Sequence, residues 1–198
     1  MKDWLQKIEL ELNGVKLLPL QKEHKKELLQ AAADGELWNL WVTSVPSKTS
    51  IDDYITTALD NEEEKTALPF IVKDLKTNTV IGSTRFCNID ATNRRLEIGY
   101  TWYSKTYQRT GVNTICKLLL LQHAFEELDA VAVEFRTHWF NYASRNAITR
   151  IGAKQDGVLR NHRISSDGTL RDTVVFSIIA NEWPSVKRAL LFQIEKYN

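Results

Sequence analysis

A polar loop with a single glycine stands directly before a run of leucines. The residues of this loop are Gln108, Arg109, Thr110, Gly111, Val112, Asn113 and Thr114. A junction of this kind offers unpaired backbone N–H groups and the positive end of a helix dipole, and glycine lets the backbone approach an anion closely. The loop is therefore either an ordinary turn that begins a helix or a cradle for phosphate or pyrophosphate. A P-loop and a Rossmann fingerprint are excluded, because no Gly-Lys-Ser/Thr follows and the further glycines are missing.

The N-terminal third of the chain predicts a hairpin and two helices. Asn13-Gly14, between alternating apolar residues, is typical of a hairpin turn. Residues 21–41 predict a helix, with Gly35 as a plausible stop, and Ser50 is a good N-cap for a second helix.

From Leu68 the pattern changes to strands that alternate with turns and helices. Residues 68–74, 79–90 and 94–103 predict an antiparallel meander that ends at the loop. Beyond the loop the sequence predicts a helix up to Leu128, a buried strand at 130–139 and a short helix at 141–152. Two strands at 154–165 and 170–179 follow, joined by the turn Ser166-Asp167-Gly168. A last helix has Pro184 in its first turn. The fold class is α/β of the α+β type, with a mixed, mainly antiparallel sheet flanked by helices.

Composition narrows the functional classes. The chain has 198 residues, with 26 Lys+Arg against 25 Asp+Glu and a formal charge of +1. This balance gives no support to capture of nucleic acid or of a membrane surface. Cys87 and Cys116 lack the spacing of a zinc site or a disulfide framework, so no metal is expected. No signal-like or membrane-spanning run is present, and a single cytoplasmic domain over residues 1–198 is the expectation.

Several spaced motifs together resemble one enzyme superfamily. The loop, as Gln-x-x-Gly-x-Asn, is similar to the acetyl-CoA pyrophosphate signature (Arg/Gln)-x-x-Gly-x-(Gly/Ala) of the GNAT acetyltransferases, with Asn113 as the departure. The strand "LEIGYTWYS" before it and "NYASRNAITRIGA" after it resemble the family's fourth strand and second cofactor segment. The tail from Leu159 looks closest to the RimJ/RimL-like branch of N-terminal acetyltransferases. The resemblance implies a GNAT-like fold and acetyl transfer from acetyl-CoA, used as a cosubstrate without a metal.

The resemblance also implies which residues meet acetyl-CoA. Backbone at Thr101 would run beside the pantetheine arm and face the acetyl carbonyl, while the loop would hold the pyrophosphate. Asn141 would both cap a helix and bond the pantetheine, and Arg145 is a candidate for an adenosine-phosphate contact or a plain surface residue. The expected contacts are Thr101, Trp102, Tyr103, Gln108, Arg109, Thr110, Gly111, Val112, Asn113, Thr114, Asn141 and Arg145.

Two residues are implied as catalysts. Glu97 occupies the position of the glutamate base in many relatives, and burial would raise its pKa toward that of a general base. The alternative is a solvated glutamate opposite Arg94 or Arg95. Relatives often use a tyrosine acid where this chain has Ile148, so Ser144 becomes the candidate that protonates the thiolate, or else it is only a helix cap.

The acceptor is expected to be a primary amine, either on a protein N-terminus or on a small molecule. The N-terminal helices are expected to build the acceptor side of the site. Trp38 and Trp41, three residues apart on one predicted helical face, are either an aromatic substrate wall or core residues. His162, which lies between Arg160 and Arg163, lines the acceptor mouth or, as favoured, belongs to a solvated hairpin face. The alternative function is a non-catalytic module that binds acyl-CoA or a partner, and homodimerisation stays open.

Overall fold

The computed structural model describes residues 4–165 and 167–196. Its N-terminal strands β1 (Leu10–Leu12) and β2 (Val15–Pro19) pair antiparallel around Asn13 and Gly14, which adopt φ of 48° and 77°. Both angles lie in the left-handed region, which Asn and Gly tolerate best, so the predicted hairpin turn is confirmed.

The helix predicted over residues 21–41 is too long. After a 3₁₀ turn at Lys22–His24, α1 covers only Lys25–Ala33. The chain then turns at Gly35 and Glu36, whose φ values are 92° and 46°. A Cβ on Gly35 would lie 2.7 Å from the Lys105 Cβ, so this close contact needs glycine and ends the helix.

The early end of α1 separates the two tryptophans. Trp38 lies in a second 3₁₀ turn, Leu37–Asn39, and packs against the apolar cluster beneath the helices. Trp41 follows that turn and is 70% exposed. The expectation that Trp38 and Trp41 share one helical face is therefore wrong.

The second helix and the meander are confirmed. Helix α2 covers Ile51–Glu63. Strands β3 (Leu68–Asp74), β4 (Thr79–Asp90) and β5 (Arg95–Tyr103) follow as antiparallel neighbours. The register of β4 and β5 shifts between Arg85↔Gly99 and Ser83↔Trp102, and Tyr100 between them has φ of 51°. This is a β-bulge, which bends β5 and redirects its side chains.

All eight strands form one sheet in the order β1-β2-β3-β4-β5-β6-β8-β7. Strand β6 covers Ala132–His138, β7 covers Lys154–Ile164 and β8 covers Leu170–Ile179. The β5–β6 pair is the parallel one, and it joins only Arg95–Glu97 to Ala132–Glu134. Beyond that seam the two strands diverge, and a cleft opens between them.

Helices cover both faces of the sheet. Helix α3 runs over Val112–Gln122 and continues through a π-helical turn to Glu127. It packs with α5 (Trp183–Glu195) over the main apolar cluster on one face, while α1 and α2 cover a second cluster on the other. Helix α4 spans Tyr142–Arg150. Ser166 of the predicted β7–β8 turn lies outside the described residues. Within the described part of the chain, no helix is long and apolar enough to cross a membrane.

Candidate active site

The diverging ends of β5 and β6 form a cleft of about 850 Å³. One end is lined by the loop before α3 and by the first turn of that helix. The other end is lined by β4, β7, β8 and the segment from Thr43 to Val45. The wall between them carries Glu97 on β5 and Ser144 on α4. The loop before α3 and both predicted catalysts, Glu97 and Ser144, thus line one cavity.

The loop presents a continuous set of unpaired backbone donors. None of the backbone N–H groups from residue 109 to residue 114 donates a hydrogen bond to another described residue. Gly111 is the N-cap of α3 with φ of 90°, and Arg109 also has a positive φ of 65°. Six successive donors without a partner therefore lie at the positive end of a helix, and such donors bind phosphate oxygens.

Neighbouring elements hold the loop in place. The Gln108 Nε2 atom donates to the Tyr103 carbonyl at 3.0 Å, and the Thr110 hydroxyl donates to the Tyr107 carbonyl at 2.7 Å. The Tyr107 hydroxyl in turn donates to Asp74 Oδ2 at 2.8 Å. Gln108 and Thr110 therefore shape the cradle from within, and its donors are preorganised rather than loose.

The phosphate end of the cleft includes a residue that the sequence did not single out. Arg150, at the end of α4, donates from Nη1 to Thr114 Oγ1 at 3.1 Å and to Gln193 Oε1 at 2.9 Å. It lines the cleft beside Asn113, whose side chain does the same. Arg145 does not line the cleft, since its guanidinium lies 4.4 Å from the Trp139 ring centroid.

Glu97 is a buried carboxylate at the point of divergence. Only 7% of the residue is exposed, and its neighbours Leu96 and Ile98 point into the core on the opposite face. Asn88 Nδ2 donates to its Oε2 at 2.6 Å, and Arg136 Nε lies 3.6 Å from the same oxygen. Burial raises the pKa of Glu97, while the Asn88 hydrogen bond and the Arg136 charge partly counteract it. A carboxyl group with a raised pKa is suited to accept a proton near neutral pH.

A missing side chain leaves the carboxylate accessible. A Cβ placed on Gly99 would lie 3.0 Å from Glu97 Oε1 and 3.0 Å from Cys87 Sγ. Glycine at this position therefore keeps the space beside Oε1 open. The bulge at Tyr100 directly follows Gly99. The missing side chain of Gly99 and the bend at the bulge together leave a path to the Glu97 carboxylate.

Beyond the seam, the edge of β5 that faces β6 has no partner strand among the described residues, and the bulge in the β4–β5 pairing falls in the same stretch. Thr101 is fixed there by its hydroxyl, which contacts Thr84 Oγ1 at 2.8 Å and accepts a hydrogen bond from Lys117 Nζ at 2.7 Å. Trp102 and Tyr103 point their rings into the two apolar clusters, so they offer backbone to the cleft while their side chains pack. This unpaired edge fits an amide-containing chain laid along it as an added strand.

Lys117 was not anticipated as a site residue. This lysine of α3 is buried and lines the cleft. Among the described residues, its side chain has Thr101 as its hydrogen-bond partner and no carboxylate within 4 Å. Burial lowers the pKa of Lys117 to about 8. A lysine inside the apolar run "ICKLLLL" was the available signal, because lysine rarely lies in a core without a reason.

Helix α4 contributes a cap and a free hydroxyl. Asn141 Oδ1 accepts a hydrogen bond from the Ser144 backbone N–H at 3.0 Å, so Asn141 is the N-cap of α4. Both residues line the cleft, and the Ser144 hydroxyl makes no hydrogen bond to another described residue. Ile148 is buried in the core one turn later. Ser144 is thus available to donate a proton, which Ile148 cannot do.

The acceptor end differs from the expected aromatic wall. Neither Trp38 nor Trp41 lines the cleft, although Leu37 and Leu40 beside them do. Trp41 instead packs edge-on against His138, with 4.8 Å between ring centroids. His162 and Arg163 line the cleft, as the acceptor-mouth alternative expects, while Arg160 and Arg163 are exposed, as the favoured solvated-face interpretation expects.

Comparison with known proteins identifies the family. The model of the acetyltransferase (GNAT) domain matches residues 15–154. The chain belongs to the GNAT acetyltransferase family and is an acyltransferase. The family's members transfer acetyl groups from acetyl-CoA, and the row of free N–H groups at Gly111 fits the pyrophosphate of that cosubstrate.

Individual relatives agree with this assignment. YdaF of Bacillus subtilis (strain 168), which is named provisionally as a ribosomal N-acetyltransferase, is 32% identical over 109 residues, or 55% of this chain and 58% of that protein. The chain therefore matches less than two thirds of that relative. N-acetyltransferase p20 of Bacillus licheniformis, which is described as uncharacterized, is 25% identical over 84% of this chain and 93% of its own length. The YdaF similarity supports the resemblance to the RimJ/RimL-like branch.

A solved structure gives the same fold. A GCN5-related N-acetyltransferase from Brucella melitensis superimposes with a TM-score of 0.84 at 27% identity, over 96% of this chain and 86% of that one. The mixed α/β fold with a mainly antiparallel sheet is therefore the fold of GNAT acetyltransferases.

Proposed function

We propose that the protein transfers an acetyl group from acetyl-CoA directly to a primary amine, on a protein N-terminus or a small molecule. One observation carries the proposal: a buried carboxylate with a raised pKa, Glu97, lies in the same cleft as the unpaired N–H groups of residues 109–114. The first group suits proton removal from an amine, and the second suits a pyrophosphate.

The residues divide the reaction between them. Glu97 takes a proton from the acceptor ammonium, which frees the nitrogen lone pair to attack the thioester carbon. A C–N bond forms, the C–S bond breaks, and the CoA thiolate leaves. The Ser144 hydroxyl donates the proton that this thiolate needs, and through water it regains the second proton, which the nitrogen loses once the C–N bond has formed. The unpaired β5 edge beside Thr101 supplies backbone N–H groups to the oxyanion.

Acetyl-CoA binding depends mainly on backbone in this proposal. The donors of residues 109–114 and the Arg150 guanidinium contact phosphates, while the β5 edge and Asn141 contact the pantetheine amides. Since backbone donors do not depend on side-chain type, Asn113 is compatible with the cradle despite its departure from the family pattern. Its amide adds a polar group at the cleft wall.

The test separates binding from chemistry. CoA binding is measured by calorimetry, and turnover by thiol release with a panel of primary amines. Glu97→Gln keeps the size of the side chain and is expected to lower kcat by about 10²- to 10⁴-fold with little change in the CoA Kd. Glu11→Gln on the exposed strand β1 is the control.

A second variant tests the cradle. Gly111→Ala adds a Cβ at a residue with φ of 90° and is expected to weaken CoA binding at least tenfold. If CoA binds, no amine gives turnover and Glu97→Gln changes nothing, the protein is a non-catalytic acyl-CoA-binding module and the enzymatic proposal fails.

A further inference from the structure

The cleft carries far more positive charge than the chain as a whole. The Lys and Arg side chains that line it are Arg85, Arg109, Lys117, Arg136, Arg150, Arg163 and Arg171. A single carboxylate, that of Glu97, lines it with them. The chain has a formal charge of +1, so this imbalance is local to the cleft. Arg109 and Arg150 lie at the phosphate end, which leaves an excess of arginines at the opposite end.

Arg85 on β4 is the most unusual of these residues. It is 2% exposed, and its guanidinium lies between the rings of Tyr54 and Tyr100, 4.5 Å and 4.4 Å from their centroids. Its hydrogen bond to a described residue is a long one, from Nη2 to the Tyr54 carbonyl at 3.4 Å. The Nε atom is buried without a partner, and no described carboxylate lies within 4 Å. Burying an unpaired charge is expensive, so such an arginine is poised for an anion.

Arg171 on β8 repeats this pattern. Its Nε atom is also buried without a partner among the described residues. It interacts electrostatically with Arg163, Glu97 and Tyr100. Burial and the nearby Arg163 charge lower the pKa of Arg171 and Glu97 only partly counteracts them, while no described carboxylate lies within 4 Å of its guanidinium.

Other arginines of the same sheet do have carboxylate partners. Arg95 pairs with Glu134 at 2.7 Å, and Arg160 on β7 pairs with Asp172 at 2.7 Å. Arg136 pairs with Glu134 and reaches Glu97. Arg85 and Arg171 differ from these three because each has a buried Nε atom without a hydrogen-bond partner among the described residues, and both line the cleft.

We propose that the acceptor amine carries an anionic group, a carboxylate or a phosphate, which Arg85, Arg163 and Arg171 hold while the nitrogen lies at Glu97. The inference rests on the proposed acetyl transfer and adds a substrate class to it. Cys87 on β4 is the strand partner of Glu97, and Arg85 lies two residues before Cys87. Two residues span about 7 Å along a strand, so Arg85 is about that far from the level of Glu97. The anion therefore lies close to the amine, as in an amino acid, an aminoalkyl phosphate or a peptide whose second residue is acidic.

Matched acceptors that carry or lack the anionic group give the test. The pairs are L-alanine with L-alaninamide, O-phosphoethanolamine with ethanolamine, and the dipeptide amides Ala-Glu-NH₂ with Ala-Gln-NH₂. In at least one pair, kcat/KM is expected to be tenfold or more higher for the anionic member. The preferred pair distinguishes a carboxylate next to the amine, a phosphate and an acidic peptide side chain.

Substitutions then assign the preference to the arginines. Arg163→Gln and Arg171→Gln are each expected to lower the charged-to-neutral ratio of kcat/KM by about tenfold. Arg160→Gln, on the same hairpin but outside the cleft, is expected to leave the ratio unchanged. Arg85→Gln should act in the same direction, and exposed Arg163 provides the test if that buried variant does not fold.

A binding measurement keeps this inference distinct from the catalytic proposal. The same pairs are titrated by calorimetry into the CoA-saturated protein. If no amine is acetylated but the anionic members bind at least tenfold tighter, and Arg171→Gln abolishes the difference, the anion site stands while acetyl transfer fails. Equal or weaker binding and turnover of every anionic member would overturn the inference, whatever happens with neutral amines.

Discussion

Replacing Lys117 by methionine is expected to stabilise the protein at neutral pH. Methionine has a similar length and no charge, and the position is buried within α3. Burial lowers the pKa of Lys117 from 10.5 to about 8. The charged lysine is thus disfavoured in the native state, and below pH 8 the protein carries the full cost of burying the charge.

The size of the effect follows from that pKa. The lowering of the Lys117 pKa from 10.5 to about 8 corresponds to about 3 kcal/mol. The variant also loses the hydrogen bond to Thr101, which contributes about 1 kcal/mol. The net gain at pH 7 is therefore about 2 kcal/mol. The native state releases the Lys117 proton near pH 8, whereas the unfolded chain keeps it up to pH 10.5. Between these values the unfolded state binds more protons, so the stability of the wild type rises with pH and the advantage of the variant shrinks.

Urea unfolding of both proteins at pH 7 and pH 9 measures the difference. We expect the advantage of Lys117→Met to fall by about 1 kcal/mol between these values. The comparison stops at pH 9 because burial also raises the pKa of the adjacent Cys116, to about 11. Leu121→Met, a buried substitution in the same helix, is the control and should show no pH-dependent difference. A less stable Lys117→Met at pH 7, or an advantage that does not shrink at pH 9, would refute the reasoning.

Three further predictions concern the cleft. The raised pKa of Glu97 predicts that, in an amine-acetylation assay, kcat/KM rises at a pH above the ordinary pKa of a glutamate. Asn88→Leu removes a hydrogen bond to the charged carboxylate and should shift this rise to higher pH. Gly99→Ala should lower kcat about tenfold with an unchanged CoA Kd, because its Cβ would meet Glu97 Oε1; unchanged turnover would mean that the amine approaches elsewhere. Arg150→Ala should raise the CoA Kd by about tenfold, while Arg145→Ala should leave it unchanged, as measured by calorimetry. The reverse result would make Arg145 the phosphate contact.

The hairpin, the meander and the strand–loop–helix junction could be predicted because each has a strong local signal. Asn13-Gly14 fixes a turn through backbone conformation alone, and alternation along β3 to β5 reflects which face is buried. The helix over residues 21–41 could not be bounded in the same way. Its end is set by the contact of Gly35 with Lys105, a residue 70 positions away, and such packing leaves no trace in local periodicity.

Part of the site was visible in the sequence and part was not. Glu97 and the loop around Gly111 could be placed because they belong to spaced motifs. Arg85 and Lys117 were missed because neither belongs to a recognisable motif: Arg85 lies in the mixed strand segment "GSTRFCNI", and Lys117 is a single charged residue in the apolar run "ICKLLLL". The signal in both cases is the cost of burying a charge, which becomes readable only once the surrounding positions are known to be buried.

The seam between β5 and β6 makes the sheet two half-sheets joined by three residue pairs. Strands β1 to β5 form one half and β6 to β8 the other, and along the rest of their border each half leaves a strand edge without a partner. A chain of amides lying in that gap would supply the missing hydrogen bonds to both strand edges. The acetyl donor is therefore expected to act as a removable ninth strand, and slower amide exchange on both sides of the gap should accompany its binding.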